Sequence, residues 1–132
     1  MLKKKFTAKD RKKLFKKAWK FFSIHIRKSA ADYRGYTRCV TCGASYLWNS
    51  GSIHAGHWIH DKLDFDERNI HPQCRSCNYA YNKNTNTAYA VYMARTYGAE
   101  EMERIRKYAM EKGNDYSVKE LENTIQRYTL DK

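Results

Sequence analysis

Two CxxC motifs, Cys39-Val-Thr-Cys42 and Cys74-Arg-Ser-Cys77, contain all four cysteines of this chain and lie 31 residues apart. Two such knuckles fit a tetrahedral Cys₄ zinc site, each gripping the ion from one side. Gly43, directly after Cys42, supplies backbone freedom for a tight knuckle. A disulfide framework would instead require an oxidising compartment. A thioredoxin-like redox centre explains one CxxC motif but not two. Zinc also accounts for how so polar a sequence, with a mean hydropathy of −0.91, stays folded, because metal affinity becomes folding free energy.

The chain has 132 residues, enough for one domain with a lean core. No apolar run approaches the ~18 residues that span a bilayer. The N-terminus MLKKKFTAKDRKKLFKKAWK is basic, but no apolar stretch follows it, so it does not read as a secretory signal. A soluble cytoplasmic protein that makes no membrane contact is the expectation. The net charge is +12, and twelve of the 26 basic side chains fall within residues 1–28 beside a single acid, Asp10. Such a cluster attracts polyphosphate, because each neutralised phosphate releases condensed counterions. The plain alternative is a solvated face.

Residues 8–29 predict one amphipathic helix. Phe15, Trp19, Phe22 and Ile26 recur at helical spacing, Leu14, Ala18 and Phe21 widen the stripe, and Thr7 stands as N-cap before Asp10. Lys12, Lys13, Lys16, Lys17 and Lys20 occupy the remaining faces as candidate phosphate contacts. Residues 45–48 and 53–59, joined by Asn49-Ser50-Gly51, predict a β-hairpin. Residues 61–73, with the lone proline Pro72, read as loop. Helices follow over about 77–97, with a break near Asn84, then over 99–112, and from the capping box Ser117-Val118-Lys119-Glu120.

The second cysteine pair is embedded in a longer constellation. His54-Ala55-Gly56-His57 precedes it, then Asn69-Ile70-His71-Pro72-Gln73, and Asn78 follows Cys77. A His ending a hairpin strand, an Asn a dozen residues on and CxxCN opening a helix resemble the HNH, or His-Me finger, nucleases. A neutral imidazole suits a general base near pH 7. More specifically, Ala55-Gly56-His57, Phe65-Asp66-Glu67-Arg68-Asn69-Ile70-His71 and Gln73-Cys74-x-x-Cys77-Asn78 resemble the NinG (Rap) family of phage recombination proteins. Ala18-Trp19-x-x-Phe22-Ser23 and Cys39-x-Thr41-Cys42-Gly43 extend the likeness towards the N-terminus, and Tyr97-Gly98-x-Glu100 towards the C-terminus.

This resemblance implies an α+β fold: a zinc-stabilised ββα-metal core at 36–97, flanked by a basic N-terminal helix at 1–30 and a helical pair at 98–132, all one domain. It implies a phage- or prophage-encoded endonuclease that cuts branched DNA such as Holliday junctions and D-loops. A homodimer would match the symmetry of a four-way substrate. His57 is the implied general base, Asn69 fixes the loop behind it, and Asn78, with Asn82 one turn on, helps to hold a catalytic Mg²⁺ or Mn²⁺. Cys39, Cys42, Cys74 and Cys77 hold structural zinc. Arg68, Arg75 and His71 join the lysines as candidate DNA contacts. Tyr79, Tyr81, Tyr89, Tyr92 and Tyr97 mostly pack the thin core, with one or two free to stack on unpaired bases.

In many HNH enzymes an Asp or His before the base ligates the catalytic ion, where this chain has Gly56. His54 or one of Asp61, Asp64 and Asp66 is a candidate substitute. Asp64 also stands where the family frequently has Arg, and Lys83-Asn84 where it frequently has Gly-Asn. The rival readings are a generic HNH nicking enzyme, a non-catalytic zinc DNA-binding module and an RNA-binding protein.

Overall fold

The computed structural model describes residues 6–80 and 85–129. Helix α1 (Ala8–Ser29) starts at Thr7, whose hydroxyl accepts from the Asp10 N–H while the Asp10 carboxylate reaches back to the Thr7 N–H. This reciprocal cap satisfies two otherwise orphaned donors. The expected apolar stripe is the face that docks: Ala18, Phe21, Phe22 and Ile26 are buried, while the five candidate lysines stay exposed.

Four short strands form two separate antiparallel pairs. β1 (Tyr36–Arg38) pairs with β2 (Ser45–Leu47) across the first cysteine knuckle. β3 (Ile53–His57) pairs with β4 (Ile70–Cys74) in the register His57↔Ile70 to Ile53↔Cys74. The expected hairpin between 45–48 and 53–59 does not form, because each of those strands has a different partner. The segment read as loop contributes a whole strand instead. Pro72 is tolerated there for a geometric reason. Ladder bonds run from Trp58 N–H to Asn69 O and from Arg75 N–H to Ser52 O. Alternation between them puts Ala55↔Pro72 at a pair that exchanges no hydrogen bonds, where a missing N–H costs nothing.

Strand alternation gives the β3–β4 ribbon two faces. Ala55 and Ile70 pack with Phe21, Phe22 and Ile26 of α1 and with Tyr128. His71 and Gln73 point to the opposite side and are also buried, with His71 against the tyrosines of α3 (Thr85–Tyr97). A five-residue helix, α2 (Arg75–Tyr79), directly follows β4, so the region expected as a helix over 77–97 with a break near Asn84 holds α2 and α3, and Tyr81 and Asn84 lie outside the described residues. α4 (Ala99–Lys112) packs on α3 through Tyr89, Met93, Ile105 and Ala109. α5 (Val118–Tyr128) lies along α1 after the expected Ser117–Glu120 capping box. Glu67 pins the loop before β4 to both helices, accepting from Tyr128 Oη at 2.9 Å and contacting His25 Nε2 at 3.0 Å. Among the described residues no helix is long and apolar enough to cross a membrane.

Candidate metal centre and active site

The four cysteines converge. Their Sγ atoms all lie within 4.8 Å of one another, and none is disulfide-bonded. The Cys42–Cys74 separation is 3.8 Å, and a tetrahedral ion with Zn–S near 2.3 Å has S···S edges of about 3.8 Å. Local hydrogen bonds serve the same end. Cys42 N–H points at Cys39 Sγ at 3.5 Å, and the Thr41 hydroxyl lies 3.1 Å from that sulfur. Burial works against the Cys39 thiolate, but donors from Cys74, Thr41 and Cys42 outweigh it and bring its pKa down to about 6. Val40 N–H donates to Pro72 O and ties the first knuckle to β4. Gly43 turns the knuckle at φ +81°, a backbone conformation that favours glycine, with the flexible end of Arg38 against it. This donor set fits a soft or borderline ion such as zinc.

His57 ends β3. Its Nε2 lies 2.7 Å from Asp64 Oδ1, and only 19% and 18% of the two side chains are exposed. Trp19 of α1 stacks on the imidazole, with ring centres 5.5 Å apart and planes 17° apart. A carboxylate accepts hydrogen bonds and donates none. The proton in this contact therefore sits on Nε2, and in a neutral ring the lone pair is then on Nδ1. Asp64 is itself held, its N–H donating to Tyr116 Oη at 2.9 Å. Burial and the neighbouring Asp64 charge raise the Tyr116 pKa well above the ordinary phenol value.

The loop that carries Asp64 is strained and over-determined. Asp61 (φ 60°) and Leu63 (φ 48°) both sit in the left-handed region, which costs roughly 1–2 kcal/mol for a residue with a Cβ. Fully buried Asn69 holds the loop in place. Its Oδ1 accepts from Ile59 N–H at 2.8 Å, and its Nδ2 donates to Ile59 O at 3.2 Å and Lys62 O at 2.7 Å. Asn69 therefore acts through the backbone behind His57, as a positioning residue.

His57 faces an open cleft of about 620 Å³, shared with Trp19, Arg27, His54, His60 and Asn78. Asn78 Nδ2 lies 3.2 Å from His54 Nδ1. Asn82 lies outside the described residues. No carboxylate is among the described residues lining the cleft, and the one metal-sized group of His, Cys, Asp and Glu among all the described residues is the cysteine cluster, which lies outside the cleft. Hard cations such as Mg²⁺ want several oxygen ligands, so the described part of the cleft does not fit one. Nor can position 56 supply the missing ligand. A Cβ there would stand 2.2 Å from Gln73 Oε1 and 2.9 Å from Gln73 Cβ.

Two expected DNA contacts are structural instead. His71 is buried, with Nδ1 3.1 Å from Tyr89 Oη and Nε2 2.9 Å from Tyr97 Oη. Tyr89 spends its one hydroxyl proton on Gly56 O at 2.7 Å. His71 must then donate from Nδ1, and because burial brings its pKa down to about 4 the ring is neutral at ordinary pH, accepts at Nε2 and is sealed from phosphate. Arg68 grips Asp66 with Nε at 3.1 Å and Nη2 at 2.8 Å, and gives Nη1 to Glu101 at 3.0 Å. These bonds, those to Asp66 first, raise its pKa above the usual arginine range. Burial works against the Asp66 carboxylate, yet Arg68 holds its pKa below the ordinary value. A guanidinium neutralised by two carboxylates has little left for a phosphate. Arg75 is exposed as expected and lies over the Tyr79 ring.

Sequence reading missed Trp19 as the platform for His57, since its spacing marks it equally as core. It also missed Asp64 as the imidazole's partner, because a loop contact seven residues away has no periodicity.

Fold and site together define a mixed α+β protein of helices and small antiparallel sheets, whose clustered cysteines can hold an ion such as zinc. A family model described as Bacteriophage Lambda NinG protein matches residues 1–132. The chain belongs to this phage-encoded NinG family. No curated protein and no solved structure matches it.

Proposed function

We propose that this chain is a zinc-stabilised DNA endonuclease of the HNH type, hydrolysing phosphodiesters in branched recombination intermediates. The observation that carries this reading is the His57–Asp64 pair, held by Asn69 and Trp19 at the edge of a cleft with no carboxylate among its described lining residues. An imidazole with its proton fixed on Nε2 presents Nδ1 as the base. Nδ1 takes a proton from water as the water oxygen bonds to phosphorus, the bond from phosphorus to the 3′-oxygen breaks, and the leaving oxygen is protonated from solvent. Mg²⁺ or Mn²⁺, expected from the family resemblance, would supply charge stabilisation at the phosphorane; no step is assigned to it, because the described cleft has no matching ligand set.

The basic helix supports the same reading. Successive helical residues are about 100° apart. Lys12, Lys16 and Lys20 therefore share a side of α1 with Ser23 and Arg27, which line the cleft, and a backbone tracked by the lysines leads towards His57. A homodimer remains part of this proposal, for two coordinated nicks. Gel-filtration mass with and without junction DNA tests it, and a 1:1 complex that still resolves junctions would sink it.

The missing oxygen-donor set favours one other reading, a zinc-built DNA-binding module with no catalysis. One experiment separates the two. Zinc-loaded protein and its His57→Ala and Asp64→Asn variants are mixed with labelled four-way-junction and linear duplex DNA in Mg²⁺, in Mn²⁺, or with EDTA added just before mixing. The nuclease reading expects metal-dependent junction cutting, abolished in His57→Ala and reduced roughly tenfold or more in Asp64→Asn. Equal cutting of linear duplex would instead indicate a generic nicking enzyme. Tight binding without cutting under any ion would leave the binding module.

A further inference from the structure

Tyr79 is the most exposed aromatic side chain on the cleft rim, with 68% of its surface open. It is an odd place for a tyrosine. Cys77, two residues earlier in α2, is buried in the cysteine cluster, yet the Tyr79 ring joins no core cluster among the described residues. The Arg75 guanidinium carbon lies over it, 5.7 Å from the ring centre. The His54 ring meets it edge-on at 5.9 Å, and His54 is bonded to Asn78. The cleft beside it has Arg27 and three histidines but no carboxylate among its described lining residues.

We infer that Tyr79, backed by Arg75, is a stacking platform for one unpaired nucleobase, which positions the adjoining phosphate in the His57 cleft. This deepens the proposed function and rests on its DNA reading. The chemistry matches the occupant. A base offers a π-face to the phenol ring, its phosphate offers negative charge to Arg75 and Arg27, and neither requires a particular sequence. Continuous duplex keeps its bases stacked on one another and cannot use the ring. Branch points and bulges release bases, so the platform converts DNA shape into preference.

The test measures binding rather than cutting. Zinc-loaded full-length protein is titrated, without Mg²⁺ or Mn²⁺, into two fluorescein-labelled duplexes. One is continuous and the other has a single unpaired 2-aminopurine. The wild type should prefer the bulged duplex and quench its 2-aminopurine. Tyr79→Ala should lose about tenfold in affinity for the bulge alone, the size of one base–aromatic stack, with continuous-duplex affinity unchanged. Tyr79→Phe should keep both the preference and the quenching. Loss of affinity for both duplexes alike, or a preference that survives Tyr79→Ala, overturns the inference while leaving the DNA reading intact. Failure to bind either duplex overturns both. Unchanged zinc content and thermal midpoint in Tyr79→Ala would show that the variant folds.

Discussion

Burial pushes the His71 imidazole down to about 4, even though the Asp66 charge pulls the other way. In the unfolded chain the same ring titrates near 6.5. Between these values the unfolded state binds a proton that the folded state refuses. Stability is therefore full above about pH 6.5 and falls as pH drops towards 4. At pH 5 the loss is about 2 kcal/mol from this one residue. Acid also protonates the cysteine thiolates and weakens any bound ion, so the wild type alone cannot isolate the effect. His71→Gln cannot titrate. It should start less stable at pH 7, through poorer bonds to Tyr89 and Tyr97, but lose about 2 kcal/mol less on going to pH 5. Urea unfolding of both zinc-loaded proteins at the two pH values checks this. Equal losses would place the acid sensitivity elsewhere. At position 56, Gly56→Ala forces a Cβ into Gln73. The atom in the way is that residue's own Cβ as well as its flexible end, so β3 and β4 must part, at a cost of roughly 1–3 kcal/mol. A lowered thermal midpoint with unchanged zinc content is the expected outcome. An unchanged midpoint would mean that the ribbon has slack that the observed packing does not contain.

Among the elements, those with strong local signals were legible in the sequence. α1 follows from apolar spacing with Thr7 as N-cap, and α5 from its capping box and apolar positions; the structure forms both caps bond by bond, and α4 runs between Gly98 and Gly113 where the sequence places it. The cysteine cluster followed from two spacings alone. β4 was not legible, because Ile70-His71-Pro72-Gln73-Cys74 has a proline and three polar-capable side chains, all buried on both faces. A strand covered by helices on each side shows no alternation. Its pairing with β3 depends on a loop closed by Asn69, a long-range cause that no local window contains. The same reasoning explains why His71 and Arg68 resembled phosphate ligands: residue type was visible, but the tyrosines and carboxylates that occupy them come from α3, the loop and α4. The metal centre joins β1, β2, β4 and α2, so those elements should fall together. One equivalent of zinc per chain is expected, and Co²⁺ substitution should give the intense thiolate-to-metal absorption of a tetrahedral sulfur site. Chelation, or Cys39→Ser, should abolish that signal and cooperative unfolding with it, while α1 and α5 keep part of their helical circular dichroism. A chain that binds no cobalt yet melts cooperatively would sink the metal assignment.

For the whole molecule, the question is whether charge acts as a solvated coat or as a track. α1 carries nine basic side chains and one acid, a net +8 against a formal +12 for the chain, and its apolar side is occupied by the β3–β4 ribbon and α5. Docking in this way leaves Lys12, Lys13, Lys16, Lys17 and Lys20 exposed on one broad side, next to the residues that open into the cleft. If the lysines contact successive phosphates, each contact contributes about 0.9 to the slope of log affinity against log salt for B-form DNA. Replacing all five with glutamine should then flatten the slope by up to about 4.5, and should weaken continuous and branched DNA by the same factor, because phosphate contacts position without discriminating. Fold stability should change by less than ~0.5 kcal/mol per substitution, as for surface substitutions generally. Duplex affinity measured from 50 to 200 mM salt for the two proteins decides the matter. A slope that does not change would assign the lysines to solubility and move the DNA track to another face. A flattened slope with branched-DNA preference retained would separate the two jobs, with general attraction along α1 and shape recognition at the cleft.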